Sequence, residues 1–327
     1  MPEQIDNQLH AVDSPASDFA LLRNARHYPL GFPMDLTTNS ADVLKAAAES
    51  WQLFSSAFNE TPVRICLRVH DGDARLPAPP KFQWHDHLMS IISDTGNFVI
   101  CDFRSNFAFG WVTPAVAANH GFLRYYFLDA ATLSLVEQSH LAPLHGAFIA
   151  RQGRGVVLCG HSFAGKSTLA YACARAGWTL IADDGTFLVR DHADRYGIGN
   201  PHTIRLRNGA RHLFPELAGR LSITLRNGKI GMEILTSELP ISVATGCPIE
   251  HVVFLNRREA GSARLEHYPK DKALAWCEQF SVFGEPHVRA AISRSYRRLL
   301  GAGIWELSYR NLDDAIACLE ELIQPGG

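Results

Sequence analysis

The chain lacks a dominant charge. Its 327 residues carry 31 Lys and Arg against 33 Asp and Glu, a formal charge of −2. Nothing overall draws it to nucleic acid or to an anionic membrane, so neither is expected as a partner. It lacks clustered cysteine as well. The seven thiols stand at 66, 101, 159, 173, 247, 277 and 318, with no CxxC pair among them. That spacing excludes a zinc ribbon and a disulfide framework, and an odd, dispersed set is expected to stay reduced in the cytoplasm. The opening stretch MPEQIDNQLHAVDSPASDF is polar and acidic without an apolar centre, so no signal peptide is expected. No run of about 18 apolar residues occurs, so no membrane span is expected. Internal repeats and low-complexity tracts are absent too.

What is present is an ordinary globular composition, 46% hydrophobic and 20% charged. The length suits two domains or one large α/β domain. Residues 1–25 read as a flexible tail. Residues 26–140 read as an α+β region, mostly antiparallel. Ser40 to Phe58 has helical periodicity with Ser40 as N-cap. The segments 63–69, 97–103, 107–113 and 123–129 read as strands of an antiparallel meander, with turn residues between them. From Leu141 to residue 327 short apolar strands alternate with helical stretches, the pattern of a mixed α/β sheet with flanking helices. HVVFLNR (251–257) reads as a buried strand there. AWCEQF, HVRAAISRSYRRLL and DDAIACLEELI read as amphipathic helices.

The chemistry concentrates in LCGHSFAGKSTLAYACARAGWTLIADDG, Leu158 to Gly185. Gly160-His161-Ser162-Phe163-Ala164-Gly165-Lys166-Ser167 fits GxxxxGK[ST], a phosphate-binding loop. The context fits: the apolar run GVVLC precedes it, an Ala- and Leu-rich helix follows, and Gly177 suits that helix's C-cap. Backbone N–H groups of residues 161–167 would wrap an anion at the helix N-terminus, with Gly160 and Thr168 completing the nucleotide-binding set. Lys166 would pair with the β- and γ-phosphates of ATP, and the Ser167 hydroxyl would ligate Mg²⁺. The plainer reading is a Gly-rich turn with a surface lysine.

The helix leaves the loop, Gly177 turns the chain, and the strand WTLIAD comes back. About 15 Å of helix and about 20 Å of strand return Asp183 and Asp184 to the level of the loop. Two adjacent carboxylates there suit metal binding and proton transfer, although DDG is also good turn chemistry. HGAFIARQGRGVVLCG (145–160) reads as a hairpin with Gln152–Gly153 at its tip. Pairing symmetric about that tip sets His145 opposite Gly160. An imidazole there would orient an aspartate or share its proton, while a lone histidine at a strand start is commonly structural. Arg205 and Arg207 alternate along TIRLR, so both face one side. They would stabilise the transferring phosphoryl group or line a solvated face. Lys229 reads as a turn lysine.

These residues resemble the C-terminal kinase domain of HPr kinase/phosphorylase and its HPr-kinase-like relatives, a P-loop fold shared distantly with phosphoenolpyruvate carboxykinase. The family pattern is a histidine, a strand hairpin, GxSGxGKS, a helix, and a strand ending in DD. Here it falls on His145, Gly160–Ser167, Ala176–Gly177 and Asp183–Asp184. The resemblance is strong over about 45 residues and loose over about 185. It implies that Asp183 helps bind the metal and that Asp184, supported by His145, activates an acceptor hydroxyl. Phe163 departs from the pattern, standing where the loop usually has glycine. The family's later metal-binding glutamate is not aligned; Glu233 is the candidate, with a surface strand residue as the other reading. Residues 1–140 do not resemble the usual partner domain, so the acceptor is not inherited. HPr kinases form hexamers, which makes a homo-oligomer an implication of the resemblance alone.

The expectation is a phosphotransferase using ATP and Mg²⁺, with Asp184, His145, Lys166 and Arg205 as catalytic residues. The acceptor would be a hydroxyl, on a serine of a protein or peptide or on a small molecule. Two alternatives stand beside it: a small-metabolite kinase, and a nucleotide-binding accessory module with little turnover.

Overall fold

The computed structural model describes residues 23–224, 230–280 and 284–324. Its first part is a seven-stranded mixed sheet of β1 (Arg23–His27), β2 (Met34–Thr38), β3 (Val63–Val69), β4 (Lys81–His85), β5 (Leu88–Asp94), β6 (Asn97–Asp102) and β7 (Phe107–Val112). The spatial order is β1-β2-β3-β7-β6-β5-β4. The flank from β7 to β4 is antiparallel, whereas β3 lies parallel to both β2 and β7. The expected meander therefore occupies one flank only. Residues 23–25, expected within the tail, belong to β1 instead, where Arg23 pairs with Thr38. Residues 1–22 lie outside the described residues.

A parallel β2–β3 pair needs a crossover, and α1 (Ala41–Trp51) supplies it. Ser40 Oγ caps it, accepting from the amides of Asp42 at 3.2 Å and Val43 at 3.4 Å. Val43, Ala46, Ala47, Ser50 and Trp51 form its buried face, a helical spacing that stops before Phe58.

The strand expected over 123–129 is not a strand. After α2 (Pro114–Ala118), the helices α3 (His120–Leu123) and α4 (Asp129–His140) are joined by a π-helical turn over Arg124–Leu128. Leu123, Phe127, Leu128, Ala131 and Leu135 are all buried. That spacing belongs to a helix packed along one face of the sheet, and packing overrides the strand propensity of Tyr-Tyr-Phe.

The second part begins at β8 (Leu141–Arg151) and turns through Gln152 (φ 54°) and Gly153 (φ 77°) into β9 (Arg154–Cys159). Two left-handed residues make the tight turn that matches strand twist. Pairing runs from Arg151–Arg154 to Gly146–Cys159, symmetric about the tip. Next come α5 (Lys166–Arg175), β10 (Thr179–Ala182), β11 (Gly185–Val189) and β12 (Tyr196–Gly199). A small sheet of β13 (Thr203–Leu206), β14 (Ile223–Thr224) and β15 (Ile230–Leu235) follows, with the one-turn α6 (Ala210–Leu213) inside it in sequence. The chain closes with β16 (Ser242–Val243), β17 (Gly246–Arg257), β18 (Arg264–His267), α7 (Lys270–Glu278), α8 (Pro286–Leu299), β19 (Gly303–Tyr309) and α9 (Leu312–Ile323). The three expected C-terminal helices are α7, α8 and α9, and Val252–Leu255 of β17 is buried as its sequence suggests.

Pairing in this second sheet closes on itself: β8 to β11, β11 to β12, β12 to β17, β17 to β9 and β9 to β8. One apolar face packs under α5 and α9, the other under α7 and α8. The core of the first sheet continues into Leu141, Val189 and Ile198 of the second. The protein is thus a mixed α/β molecule with several sheets flanked by helices. Among the described residues no helix is long and apolar enough to cross a membrane.

Strand direction places the site. β9, β17 and β19 are mutually parallel. β10 runs the same way, because both it and β9 are antiparallel to β8. The C-terminal ends of β9, β10, β17 and β19 therefore share one edge, where open α/β sheets commonly bind ligands.

Candidate active site

The loop Gly160–Gly165 leaves that edge from β9 and enters α5. Three of its residues are left-handed: Gly160 (φ 148°), Phe163 (φ 74°) and Gly165 (φ 96°). A Cβ on Gly160 would meet Ala164 Cβ at 2.9 Å, and one on Gly165 would meet Tyr309 Oη at 2.5 Å. Phe163 takes the torsion usually left to glycine, a strain of about 1–3 kcal/mol. Its ring is 74% exposed, and the Arg207 guanidinium lies over it at 4.0 Å. The buried Lys166 folds back into the loop, where Nζ donates to the carbonyls of Gly160 at 2.7 Å and His161 at 3.3 Å. Tyr309 Oη, at the end of β19, donates to the Ala164 carbonyl at 3.1 Å. The His161 ring meets Trp276 of α7 edge-on at 4.9 Å. Thr168 sits in the first turn of α5, close after Gly165.

Asp183 and Asp184 occupy the gap between β10 and β11, which run one after the other along β8. A register shift between Leu180 and Ala182 precedes them, and such bulges re-aim side chains. Asp183 turns inward and is buried. The Ser167 hydroxyl lies near enough to its carboxylate to help hold the group's pKa down. Oδ2 accepts the Arg205 amide at 2.7 Å, and the buried Oδ1 has no hydrogen-bond partner among the described residues. Burial pushes this carboxyl up to about 6. The nearby Ser167 hydroxyl and the Arg205 amide pull it down, and neighbouring Asp184 pushes it up.

Asp184 turns the other way, with its side chain 53% exposed and Oδ1 at 3.2 Å from His145 Nδ1. Its carbonyl accepts the Gly146 amide at 3.1 Å. His145 is opposite Gly185 of β11, not Gly160, because the β8–β9 ladder ends at Gly146–Cys159. The strand beyond Asp184, rather than the hairpin, thus sets the His145–Asp184 contact. Phe280 covers the imidazole, with ring centres 5.0 Å apart.

Arg205 lies on β13, opposite Glu233 of β15. Its Nε donates to Glu233 Oε2 at 3.0 Å. Glu233 is therefore engaged by an arginine rather than aimed at the loop. Arg207 lies just past β13 and pairs with no carboxylate among the described residues. Lys229 lies outside them. No group of three or more His, Cys, Asp or Glu among the described residues forms a metal cage. Ser167 and Asp183 nevertheless fit a hard divalent cation such as Mg²⁺. A hydroxyl and a carboxylate with one unsatisfied buried oxygen flank a loop at a helix N-terminus, and such cations take most remaining ligands from phosphate and water.

Sequence reasoning did not find Tyr309, Trp276 or Phe280, nor Arg207 as the partner of Phe163. Tyr309 ends a strand just before the helix signal Asn-Leu-Asp-Asp, but nothing local ties it to a loop far upstream. The assembled edge can hold an anion, hold a cation beside it, and take up a proton at Asp184.

No protein-family model matches the chain, and no curated protein matches it. Among solved structures it is similar to the Hpr(Ser) kinase/phosphatase from Coxiella burnetii, at 14% identity over 55% of this chain and 89% of that one, with a TM-score of 0.30.

Proposed function

We propose that the chain is a P-loop phosphotransferase of the HPr-kinase-like kind, moving the γ-phosphoryl of ATP to a hydroxyl on a protein, a peptide or a small molecule. The observation that carries this reading is the buried Asp183, near Ser167 at the start of α5, whose Oδ1 is unsatisfied among the described residues. Beside it lies a second carboxylate already held by an imidazole. A turn with a surface lysine has no use for either.

In this reading the loop amides and Lys166 hold the triphosphate, with Nζ leaving the Gly160 and His161 carbonyls for phosphate oxygens. Ser167 and Asp183 hold Mg²⁺, which when bound neutralises charge on the phosphates. Asp184, oriented by His145, receives the acceptor's hydroxyl proton. The acceptor oxygen bonds to the γ-phosphorus as the bond to the β-phosphate bridging oxygen breaks, and ADP leaves with that electron pair. Arg207, beside the loop and without a carboxylate partner among the described residues, is the better placed of the two arginines to meet the transferring group.

The test is direct. Purified protein is titrated with ATP and ADP by calorimetry, with and without Mg²⁺, and then incubated with γ-labelled ATP and cell extract. The expected result is Mg²⁺-dependent nucleotide binding and one labelled acceptor, lost with Asp184→Asn. Binding without any labelled acceptor overturns the transferase reading and leaves a nucleotide-binding accessory module.

A further inference from the structure

Both faces of the first sheet are apolar, and the described residues cover only one of them. Side chains alternate along a strand. Val99 and Cys101 of β6 and Ala108 and Val112 of β7 point inward, into the core shared with α1 and α4. The residues between them point out. Register aligns Phe107, Phe109 and Trp111 of β7 with Asp102, Ile100 and Phe98 of β6. The neighbouring β5 sets Leu88, Ser90 and Ile92 beside the same three β6 residues. Phe109 is 38% exposed and Ile92 40%. None of the β6 and β7 apolar side chains on this face packs against any of the buried cores. The rings lean on one another instead: Phe98 and Phe109 lie 5.3 Å and 5.8 Å from Trp111, and Phe107 lies 6.1 Å from Phe109. The short Ser90 leaves a groove of about 660 Å³, bounded by Gln83, Leu88 and Ile100. A continuous exposed apolar patch with a polar rim marks an interaction surface.

The rim is cationic on both sides. Arg64 and Arg68 of β3 stand opposite Phe107 and Trp111, and the Arg64 guanidinium lies 5.4 Å from the centre of the Phe107 ring. Lys81 of β4 stands opposite Ile92. Arg64 and Lys81 form no ion pair among the described residues. The carboxylates of the face are engaged. Asp102 accepts from the Ser105 hydroxyl at 2.7 Å and the Arg104 amide at 3.0 Å, and Asp35 is held by Arg26 at 2.7 Å. A second copy laid face to face would set one cationic rim against another. A polynucleotide brings a charge with every residue, more than these few cations match. A polypeptide with a few acids among apolar side chains matches both the centre and the rim.

We infer that this face docks an acidic segment of a partner protein. Its aliphatic or aromatic side chains sit on the Phe98–Phe109–Trp111 cluster and in the groove over Ser90, and its carboxylates reach Arg64 and Lys81. The inference does not depend on the phosphotransferase reading, since the face belongs to the first sheet and the loop to the second.

The test is a selection from a phage-displayed library of random peptides of about 12 residues against the immobilised full chain. Such a peptide reaches about 40 Å when extended, while the face from β3 to β4 spans about 19 Å. The selected peptides are then synthesised and their affinities measured by fluorescence anisotropy. They are expected to carry Asp or Glu interleaved with Leu, Ile, Phe or Trp, and to bind more weakly as salt rises from about 50 to about 500 mM. Phe109→Asp is expected to weaken them about tenfold or more, and Lys81→Glu about threefold. Both positions are exposed, so thermal melting followed by circular dichroism is expected to match the wild type. No enrichment, an enriched set without acidic bias, or binding indifferent to Phe109→Asp overturns the inference. So does a single-stranded oligonucleotide that binds the wild type but not Phe109→Asp, which gives the face to nucleic acid. A dimer in ultracentrifugation that Phe109→Asp dissolves overturns it as well and gives the face to a second copy.

Discussion

The Ser167 hydroxyl lies near the buried Asp183 carboxylate and helps hold its pKa down, although a helix, a glycine turn and a strand separate them in the chain. The Arg205 amide satisfies Oδ2 of that carboxylate, while Oδ1 stays bare among the described residues. Burial raises this carboxyl to about 6, so the metal-free protein carries a costly charge at neutral pH. Asp183→Asn is therefore expected to split two properties. Metal affinity in the nucleotide complex falls by about tenfold to a hundredfold or more. The midpoint of denaturation without ligand, at about pH 7.5 and so above that raised value, stays level or rises. Nucleotide binding that remains fully Mg²⁺-dependent in the variant contradicts the assignment.

His145 and Asp184 meet at 3.2 Å and are expected to act as one unit. Asp184→Asn and His145→Ala each reduce phosphoryl transfer, and the double variant is hardly slower than Asp184→Asn alone. ADP affinity changes little in all three. Losses that multiply would show two independent roles.

Arg205 and Arg207 differ in what holds them. Arg205 is paired with Glu233 at 3.0 Å, while Arg207 rests on the Phe163 ring at 4.0 Å. Arg207→Ala is expected to weaken ADP with aluminium fluoride, a mimic of the transferring phosphoryl, by about a hundredfold while ADP alone is unchanged. Arg205→Ala is expected to lose a partly exposed ion pair, costing about 1 kcal/mol or less, with little effect on the mimic. The reverse ranking would return the catalytic role to Arg205.

Gly165 and Gly177 are both left-handed, at φ 96° and 88°. Only Gly165 is crowded: a Cβ there would lie 2.5 Å from Tyr309 Oη, whereas one on Gly177 would meet nothing within 4 Å. Gly165→Ala is expected to displace Tyr309, destabilise the fold by about 1–3 kcal/mol and abolish nucleotide binding. Gly177→Ala faces open space and is expected to cost about 1 kcal/mol with binding intact. Equal effects on binding would mean that the Tyr309 contact is irrelevant to the loop.

Glu137 on α4 is pushed up to about 7 by burial, opposed by Arg190. Its ordinary value is near 4.5, so the folded state holds the proton more tightly than the unfolded chain. Stability from this group is fully present below about pH 4.5 and is lost as pH rises through about 7. Glu137→Gln is expected to match the wild type at about pH 5 and to exceed it by about 1–2 kcal/mol at about pH 8, measured by urea denaturation. A wild type whose stability does not fall between these pH values refutes the shift.

Much of the site is written in contiguous residues. The β8–β9 register follows from the Gln152–Gly153 turn, because two left-handed residues leave a hairpin one tight way to close. The Ser40 cap and the apolar spacing of α1 are equally local. The 123–129 segment misleads for the same reason: its aromatic residues favour a strand by themselves, and only the sheet beneath them makes a helix the better burial. β1, β2, β4 and β5 carry no clear local signal; in β4 only Trp84 is half-buried and the rest is exposed.

The glycine-bearing loop between β9 and α5, the hairpin register and the return of the aspartate pair to the loop's level were determined by sequence alone, since each depends on turns and lengths within one short stretch. Only the tertiary structure decided that Asp183 points inward to Ser167 while Asp184 points out to His145, that Glu233 is occupied by Arg205, and that Tyr309 holds the Ala164 carbonyl of the loop. Those contacts join strands that are neighbours in space but distant along the chain, and strand order is set by how the whole molecule buries its apolar faces.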